Sequence, residues 1–160
     1  MNIKYPSTCR FIMDGVLISP HDTIHPPLLI FNDNKKKKTN KNPLYTLIMF
    51  DPDAVGGNLI HWLVINTHTT IFPYKGPHPP PGTGLHHYHF LLLAQKDIIT
   101  KPIRLKNRHI GIATLIEKLG LQSSRIVDQK YFVSHYYSIQ KKKDDICLDL
   151  DRRKRVDKKK

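Results

Sequence analysis

The chain has 160 residues, of which 39% are hydrophobic, and its 26 Lys and Arg against 13 Asp and Glu give a formal net charge of +13. This length predicts a single domain, over residues 1–143, and leaves too little chain for two ordinary ones. The charge excludes an acidic solvating tail and points to nucleic acid, an acidic membrane surface or phosphorylated ligands as partners.

Cysteine usage and the absence of long apolar runs predict the compartment. Cys9 and Cys147 stand in no CxxC or Cys/His pattern, which predicts two free thiols in a reducing environment. Asp14 interrupts the apolar stretch near the N-terminus, so it lacks the continuous core of a signal peptide. The longest apolar run, residues 44–50, is far shorter than the ~20 residues of a membrane-spanning helix. We therefore expect a soluble, cytoplasmic protein.

The first predicted elements are a basic loop and two buried strands. Residues 35–41 carry five lysines and are flanked by Asn32, Asp33 and Asn34 on one side and by Asn42 and Pro43 on the other, which predicts an exposed loop. Residues 44–50 are rich in β-formers, and Pro52 ends that strand because proline cannot donate to a ladder. Residues 61–66 form a second run of the same kind. Their near-continuous hydrophobicity predicts that both faces of these strands are covered.

A stiff loop and a third strand come next. Prolines and glycines dominate residues 74–84, which predicts an ordered loop that forms a pocket wall. Its Gly-Thr-Gly triplet is no phosphate-binding P-loop, because the chain lacks GxxxxGK[ST]. In the strand predicted at residues 85–94, alternation places His86 and Tyr88 on one face and His87 and His89 on the other.

The C-terminal third is predicted to hold one helix, one strand and a tail. Apolar residues recur at helical spacing over residues 109–120, and Gly120 is suited to a C-cap. Residues 130–139 alternate as a strand, and the Arg/Lys-rich residues 144–160 are typical of a disordered tail. The fold class is therefore mainly β, with sheet packed on sheet and one or two helices near the C-terminus.

Polar side chains at three strand ends predict a binding cleft. Asp51 and Asp53 follow the first strand, His61 begins the second, and His86 with Tyr88 begins the third. An imidazole N–H and a phenol O–H on one face are two donors that suit an anion. Taken alone, the two histidines are more typical of buried, hydrogen-bonded structural residues.

Two alternatives stay open at this point. His61, His86 and Asp51 could form a two-His, one-carboxylate metal site of a hydrolase, although the chain has no HExxH motif and no evident separate general base. The basic loop and tail could bind nucleic acid or an acidic membrane weakly and without specificity, or could be simply solvated charge.

Three motifs in order resemble the phosphatidylethanolamine-binding protein family. They are DPDA at residues 51–54, HWLVIN at residues 61–66 and GPHPPPGTGLHHY at residues 76–88. The resemblance implies a two-sheet antiparallel β-sandwich with C-terminal helices, no catalytic role and no cofactor or metal. It also implies a small pocket for phosphate, acetate or a phospholipid head group, and a protein partner such as a kinase or a protease. The implied ligand-binding residues are Asp51, Asp53, His61, Pro79, His86 and Tyr88, with His78 on the rim.

The chain departs from the family pattern beside the pocket. Val55 stands where the family usually has proline after DPDA, and only residues 56–60 separate it from His61. This short loop drops the aromatic residues that line the pocket of animal members. The departure affects ligand selectivity.

Overall fold

The computed structural model describes residues 1–8, 11–30, 43–101 and 103–136. Over these residues the chain forms eight strands, a 3₁₀ turn at Pro20–Thr23 and the helix α1, Ile112–Lys118. The strands are β1 Asn2–Lys4, β2 Val16–Leu17, β3 Leu28–Ile30, β4 Leu44–Asp51, β5 Leu59–Ile65, β6 Thr69–Phe72, β7 Leu85–Gln95 and β8 Ile126–His135.

The strands form one large sheet and one small one. The six-stranded sheet has the order β2-β8-β7-β4-β5-β6, and β1 pairs with β3 in a two-stranded sheet. Every pairing is antiparallel except that of β2 with β8. The expectation of wholly antiparallel sheets is therefore wrong at this edge, where two residues of β2 run parallel beside Phe132 and Val133. The mainly β fold class is confirmed.

Both faces of the large sheet are covered, as the continuous hydrophobic runs predict. On one face, Met49, Tyr88 and Phe132 pack with Ile3 and Tyr5 from the small sheet's side of the molecule. On the other face the core is built from apolar residues of β4, β5, β7 and α1, namely Ile48, Ile60, Leu63, Ile65, Leu91, Leu93 and Leu115. Each strand of the centre therefore contributes alternate residues to two cores.

The predicted helix is present but shorter than its apolar periodicity. It begins after Gly111 and ends at Lys118, with Leu119 as its C-cap. Gly120 follows with a φ of 69°, the left-handed conformation that glycine tolerates at a helix end. His109, which the pattern included, instead forms a bridge to Leu59 at the start of β5. The predicted last strand begins earlier, at Ile126.

Some sequence predictions concern residues outside the described ranges. These are the two cysteines, the basic loop at residues 35–41, the last strand beyond residue 136 and the basic tail. Within the described ranges, no helix is long and apolar enough to span a membrane.

Candidate functional site

The end of β4 and the starts of β5 and β7 lie at the same end of the large sheet, because β4 runs antiparallel to both of these neighbours. β4 ends at Asp51, whose register partner on β5 is Leu59, and Phe50 lies opposite His89 near the start of β7. The register of β5 slips by one residue here: Met49 pairs with Trp62 and Phe50 with Ile60, so His61 is the extra residue of a β-bulge. Bulges redirect a side chain beside functional sites. Asp51, His61 and His86 therefore converge at this end of the sheet, as the sequence predicts.

Asp51 and His86 form a buried pair. The Nδ1 of His86 lies 2.7 Å from Oδ2 of Asp51, and the side chains are only 1% and 3% exposed. The second carboxylate oxygen accepts the backbone N–H of Asp53 at 2.8 Å. Buried charge is tolerated only when it is paired and hydrogen-bonded, and both conditions are met here.

Thr83 completes the bonding of His86 and fixes where its protons lie. The Thr83 hydroxyl donates to the carbonyl oxygen of Pro80 at 2.8 Å, and its oxygen lies 2.8 Å from Nε2 of His86. Because a hydroxyl has one proton, Nε2 must be the donor in the second bond. A further proton lies between Nδ1 and the Asp51 carboxylate. The His86–Asp51 pair is therefore neutral as a whole, with an N–H donor at Nε2.

Tyr88 lies between the two histidines of the site. Its ring centroid is 5.1 Å from that of His61 and 6.5 Å from that of His86. Burial, followed by the charge of Asp51 and a hydrogen bond to it, raises the pKa of Tyr88 well above its usual value. The phenol therefore stays protonated and donates to Asp51.

His61 has one nitrogen engaged and one free of hydrogen bonds. Nδ1 lies 2.7 Å from the carbonyl oxygen of Lys75, which can only accept, so Nδ1 carries the proton. Nε2 is buried and has no partner among the residues the structure describes. Burial lowers the pKa of His61, and it outweighs the hydrogen bond to the Lys75 carbonyl and the charge of Asp51, which both act to raise that pKa. The charges of Lys75 and Arg108 add smaller lowering effects. His61 is therefore a neutral imidazole whose Nε2 is an acceptor.

The proline-rich loop is ordered, as predicted, and the contacts that hold it are specific. The backbone N–H of Lys75 donates to the carbonyl of His61, reciprocating the side-chain bond. The Tyr74 hydroxyl donates to the Thr23 carbonyl at 2.6 Å. A Cβ on Gly76 would lie 2.6 Å from the same carbonyl oxygen, so only glycine fits. The loop is thus clamped between β5 and the 3₁₀ turn.

The structure separates Asp53 from the other predicted site residues. Its Oδ2 accepts from the backbone N–H and from Nδ1 of His87, at 2.8 and 2.7 Å, and the two side chains are 40% and 44% exposed. Burial acts to raise the pKa of Asp53, but the hydrogen bonds from His87 outweigh it and hold the pKa below its ordinary value. Asp53 thus forms a solvent-exposed pair with His87. Along the loop, Pro79 is buried and His78 is exposed, in keeping with a wall and a rim.

Two residues of the site were not assigned from sequence. Thr83 stands three positions before His86, and the signal that the sequence offered was a hydroxyl between two glycines. In the structure these glycines have φ of 81° and 80°. Arg108 donates from its guanidinium to the carbonyls of Ile60, His61 and Pro73 at 2.8–3.1 Å and so secures the bulge. No sequence pattern marks Arg108, since it pairs with backbone and not with a carboxylate.

The alternative of a metal site finds no support in this geometry. Within residues 1–8, 11–30, 43–101 and 103–136, no group of three or more His, Cys, Asp or Glu side chains is placed to hold a metal ion. Nδ1 of His61 and both ring nitrogens of His86 are already engaged in hydrogen bonds.

Comparison with known proteins agrees with the motifs. Residues 64–129 match the family model described as phosphatidylethanolamine-binding protein. Over these residues the chain is similar to the phosphatidylethanolamine-binding protein family. This confirms the resemblance read from the three motifs, two of which overlap or adjoin the matched range.

Curated relatives are matched over part of their length. The protein MOTHER of FT and TFL1 homolog 2 of Oryza sativa subsp. japonica is 33% identical over 99 residues, which cover 54% of this chain and 53% of the relative. A 26 kDa secreted antigen of Toxocara canis is 39% identical over 75 residues, or 39% of this chain and 29% of the antigen. The chain thus spans about half, or less, of these relatives.

Solved structures share the fold across most of the chain. A carboxypeptidase Y inhibitor, crystallised with its cognate proteinase, superimposes with a TM-score of 0.68 at 20% identity, covering 85% of this chain and 82% of the inhibitor. A phosphatidylethanolamine-binding protein from Plasmodium vivax gives a TM-score of 0.59 at 18% identity, covering 85% and 84%. These likenesses establish the fold.

Proposed function

We propose that the chain is a non-enzymatic binding protein whose strand-end site accepts a small anion, in the form of phosphate or a phospholipid head group. Similarity to the phosphatidylethanolamine-binding protein family supports a binding role. The observation that carries the proposal is the bond between Nε2 of His86 and the Thr83 hydroxyl at 2.8 Å. An N–H donor held rigidly by a buried carboxylate and satisfied only by a loop hydroxyl is suited to donate to an anion oxygen.

The neutrality of the His86–Asp51 pair also supports the proposed anion site. An unpaired carboxylate would repel an anion strongly in a buried site, because charges interact more strongly at low dielectric. Asp51 instead accepts from His86, from Tyr88 and from a backbone N–H. The proposed ligand-binding residues are therefore His61, His86, Tyr88 and Pro79, with His78 at the rim and Asp51 as the residue that orients His86.

Titration with phosphate and phosphoethanolamine, followed by NMR of the full chain, tests the proposal. His86→Ala should lose binding, whereas the matched variant His87→Ala should bind as the wild type does, because His87 faces away on the same strand. Equal affinities for wild type, His86→Ala and Asp51→Ala would rule the anion site out.

Regulation of a protein partner, a protease or a kinase, is the second part of the proposal. It is favoured by the TM-score of 0.68 to an inhibitor in complex with its proteinase. Pull-down with wild type and with a His61→Ala/His86→Ala variant reports the partner and its dependence on the site together. A protein that captures no protease or kinase by either bait would contradict this part and leave the anion site intact.

A further inference from the structure

The end of the large sheet that lies away from the candidate site is built by residues 94–101 and 125–126, and we call it the far end. β4 begins there at Leu44, whose register partner is Gln95, the last residue of β7. The carbonyl of Arg125, just before β8, accepts from the backbone N–H of Ala94 at 2.9 Å. β7 rises about 3.4 Å per residue from His86 to Gln95, so the far end lies about 30 Å from the site.

Three exposed basic side chains lie at the far end. Lys96 directly follows β7, and Arg125 directly precedes β8. Lys101 is two residues beyond Ile99, whose backbone N–H and C=O both bond the Asn66 side chain, at 2.9 and 3.0 Å, where β5 turns into β6. None of the three basic side chains pairs with a carboxylate among the residues that the structure describes. Their charge is therefore available to a partner.

Two exposed isoleucines stand beside these basic residues. Ile98, between Lys96 and Lys101, is 62% exposed, and Ile126, next to Arg125, is 56% exposed. A single exposed apolar side chain is ordinary, but apolar side chains set among cations are typical of surfaces that enter the head-group region of a membrane.

Charge is divided unequally between the two ends of the sheet. On the side of the site, Asp53 and Asp14 are 40% and 47% exposed, and Lys130 there is paired with Asp14 at 3.6 Å. At the far end, Asp97 is the only acidic residue within residues 94–101 and 125–126. This distribution turns the far end towards a negatively charged surface.

The sequence adds positive charge next to the far end. Residues 35–41, with five lysines, come just before Pro43. The carbonyl of Pro43 accepts from the Thr67 hydroxyl at 3.3 Å, and the next residue, Leu44, pairs with Gln95. The five lysines therefore precede a residue that is anchored at the far end.

We propose that the far end is a docking surface for an anionic lipid bilayer. Lys96, Lys101 and Arg125 attract the acidic head groups, and Ile98 and Ile126 enter the interface. Isoleucine neither stacks on bases nor bonds to phosphates, as a nucleic acid would require, whereas the interface of a bilayer takes up apolar side chains. The docked protein presents the candidate site to the solution on its opposite side. This inference does not depend on the proposed anion site.

Sedimentation of the full chain with lipid vesicles tests the proposal. Vesicles of phosphatidylcholine with about 30% phosphatidylserine should bind the protein at about 0.1 M salt, and vesicles of phosphatidylcholine alone should bind it at least about tenfold more weakly. Lys96→Gln/Arg125→Gln should weaken binding to the acidic vesicles roughly 30-fold, since each basic residue near the surface contributes about fivefold. Lys4→Gln/Lys130→Gln removes the same charge elsewhere and should change binding less than about threefold.

The apolar pair and the candidate site have their own variants. Ile98→Ser/Ile126→Ser should weaken binding to the acidic vesicles roughly tenfold. Val55→Ser is the matched control, because Val55 is 71% exposed in the loop beside the site, and it should bind as the wild type does. His86→Ala should also bind the vesicles as the wild type does, so that membrane binding and anion binding are measured separately.

Two outcomes would overturn the proposal. Equal binding of the wild type and Lys96→Gln/Arg125→Gln to the acidic vesicles would mean that other basic residues carry the attraction. Binding of a DNA duplex that depends on Lys96 and Arg125, with no binding to either kind of vesicle at the same salt, would make the partner a nucleic acid.

Discussion

Asp51 and His86 are 35 residues apart in sequence, yet Oδ2 of one lies 2.7 Å from Nδ1 of the other. They meet because β4 and β7 are antiparallel neighbours, so that the end of one strand lies beside the start of the next. Asp53, two residues after Asp51, and His87, next to His86, repeat the same bond at the same 2.7 Å on the surface. The chain thus contains a buried and an exposed version of one interaction.

The two pairs allow a prediction about stability in which the exposed pair is the control for the buried one. Asp51→Ala should lower the free energy of unfolding by about 3–5 kcal/mol, since it leaves His86 unpaired in the interior. Asp53→Ala should cost less than about 1 kcal/mol, because its pair is solvent-exposed. Urea denaturation of both variants measures the difference. Equal losses would show that burial does not distinguish the two pairs.

Thr83 is predicted to compete with the ligand for His86. Thr83→Val removes the hydroxyl and should tighten phosphate binding, because the ligand no longer displaces a hydrogen bond. A neutral hydrogen bond is worth about 0.5–1.5 kcal/mol, or roughly 2–12-fold in affinity. Thr83→Ser keeps the hydroxyl and should bind as the wild type does. Weaker binding by Thr83→Val would instead make the hydroxyl a ligand contact.

Gly76 should tolerate no side chain. Gly76→Ala would place a Cβ 2.6 Å from the Thr23 carbonyl oxygen, and relief of that overlap should cost about 1–3 kcal/mol. Gly111→Ala is the control, because its φ is −61° and its Cβ would meet only Thr114 Oγ1 at 3.8 Å. Thermal unfolding followed by circular dichroism compares them. A Gly76→Ala protein as stable as Gly111→Ala would refute the close packing of this loop.

His61 should make the protein less stable in mild acid. Burial lowers its pKa in the folded state, so below about pH 6.5 the unfolded chain binds the extra proton and is favoured. The free energy of unfolding should therefore fall as pH drops from 7.5 towards the folded pKa, by up to about 1.4 kcal/mol per unit. His61→Gln should flatten this dependence, whereas replacing the exposed His68 should not. Identical slopes for wild type and His61→Gln would contradict a buried neutral His61.

The strands, and the residues that share one face of a strand, could be predicted because they depend on residue types and spacings that are close together in the sequence. Alternation alone separated His86 and Tyr88 from His87, and proline and glycine content was enough to predict an ordered loop. Asp53 could not be sorted in the same way, because Asp51 and Asp53 flank one proline and only the fold shows which of them faces inward. The parallel pairing of β2 is likewise a tertiary event that two residues cannot encode.

The hydrogen-bond partners were the least predictable part of the site. Thr83, the Lys75 carbonyl and Arg108 act through backbone geometry, which depends on how the loop folds back over β5. The bulge that presents His61 is a one-residue slip in register, and sequence patterning specifies strands far better than it specifies such slips.

NMR of the histidine ring nitrogens, recorded with and without a phosphomonoester, tests the central claim most directly. The ring ¹⁵N shifts report the proton on each nitrogen. Binding should perturb Nε2 of His86 and Nε2 of His61 and leave His87 and His89 unchanged, with Nδ1 of His61 protonated throughout. Perturbation confined to His87 and His89, or a ligand-free His61 protonated at Nε2 and bare at Nδ1, would contradict the account.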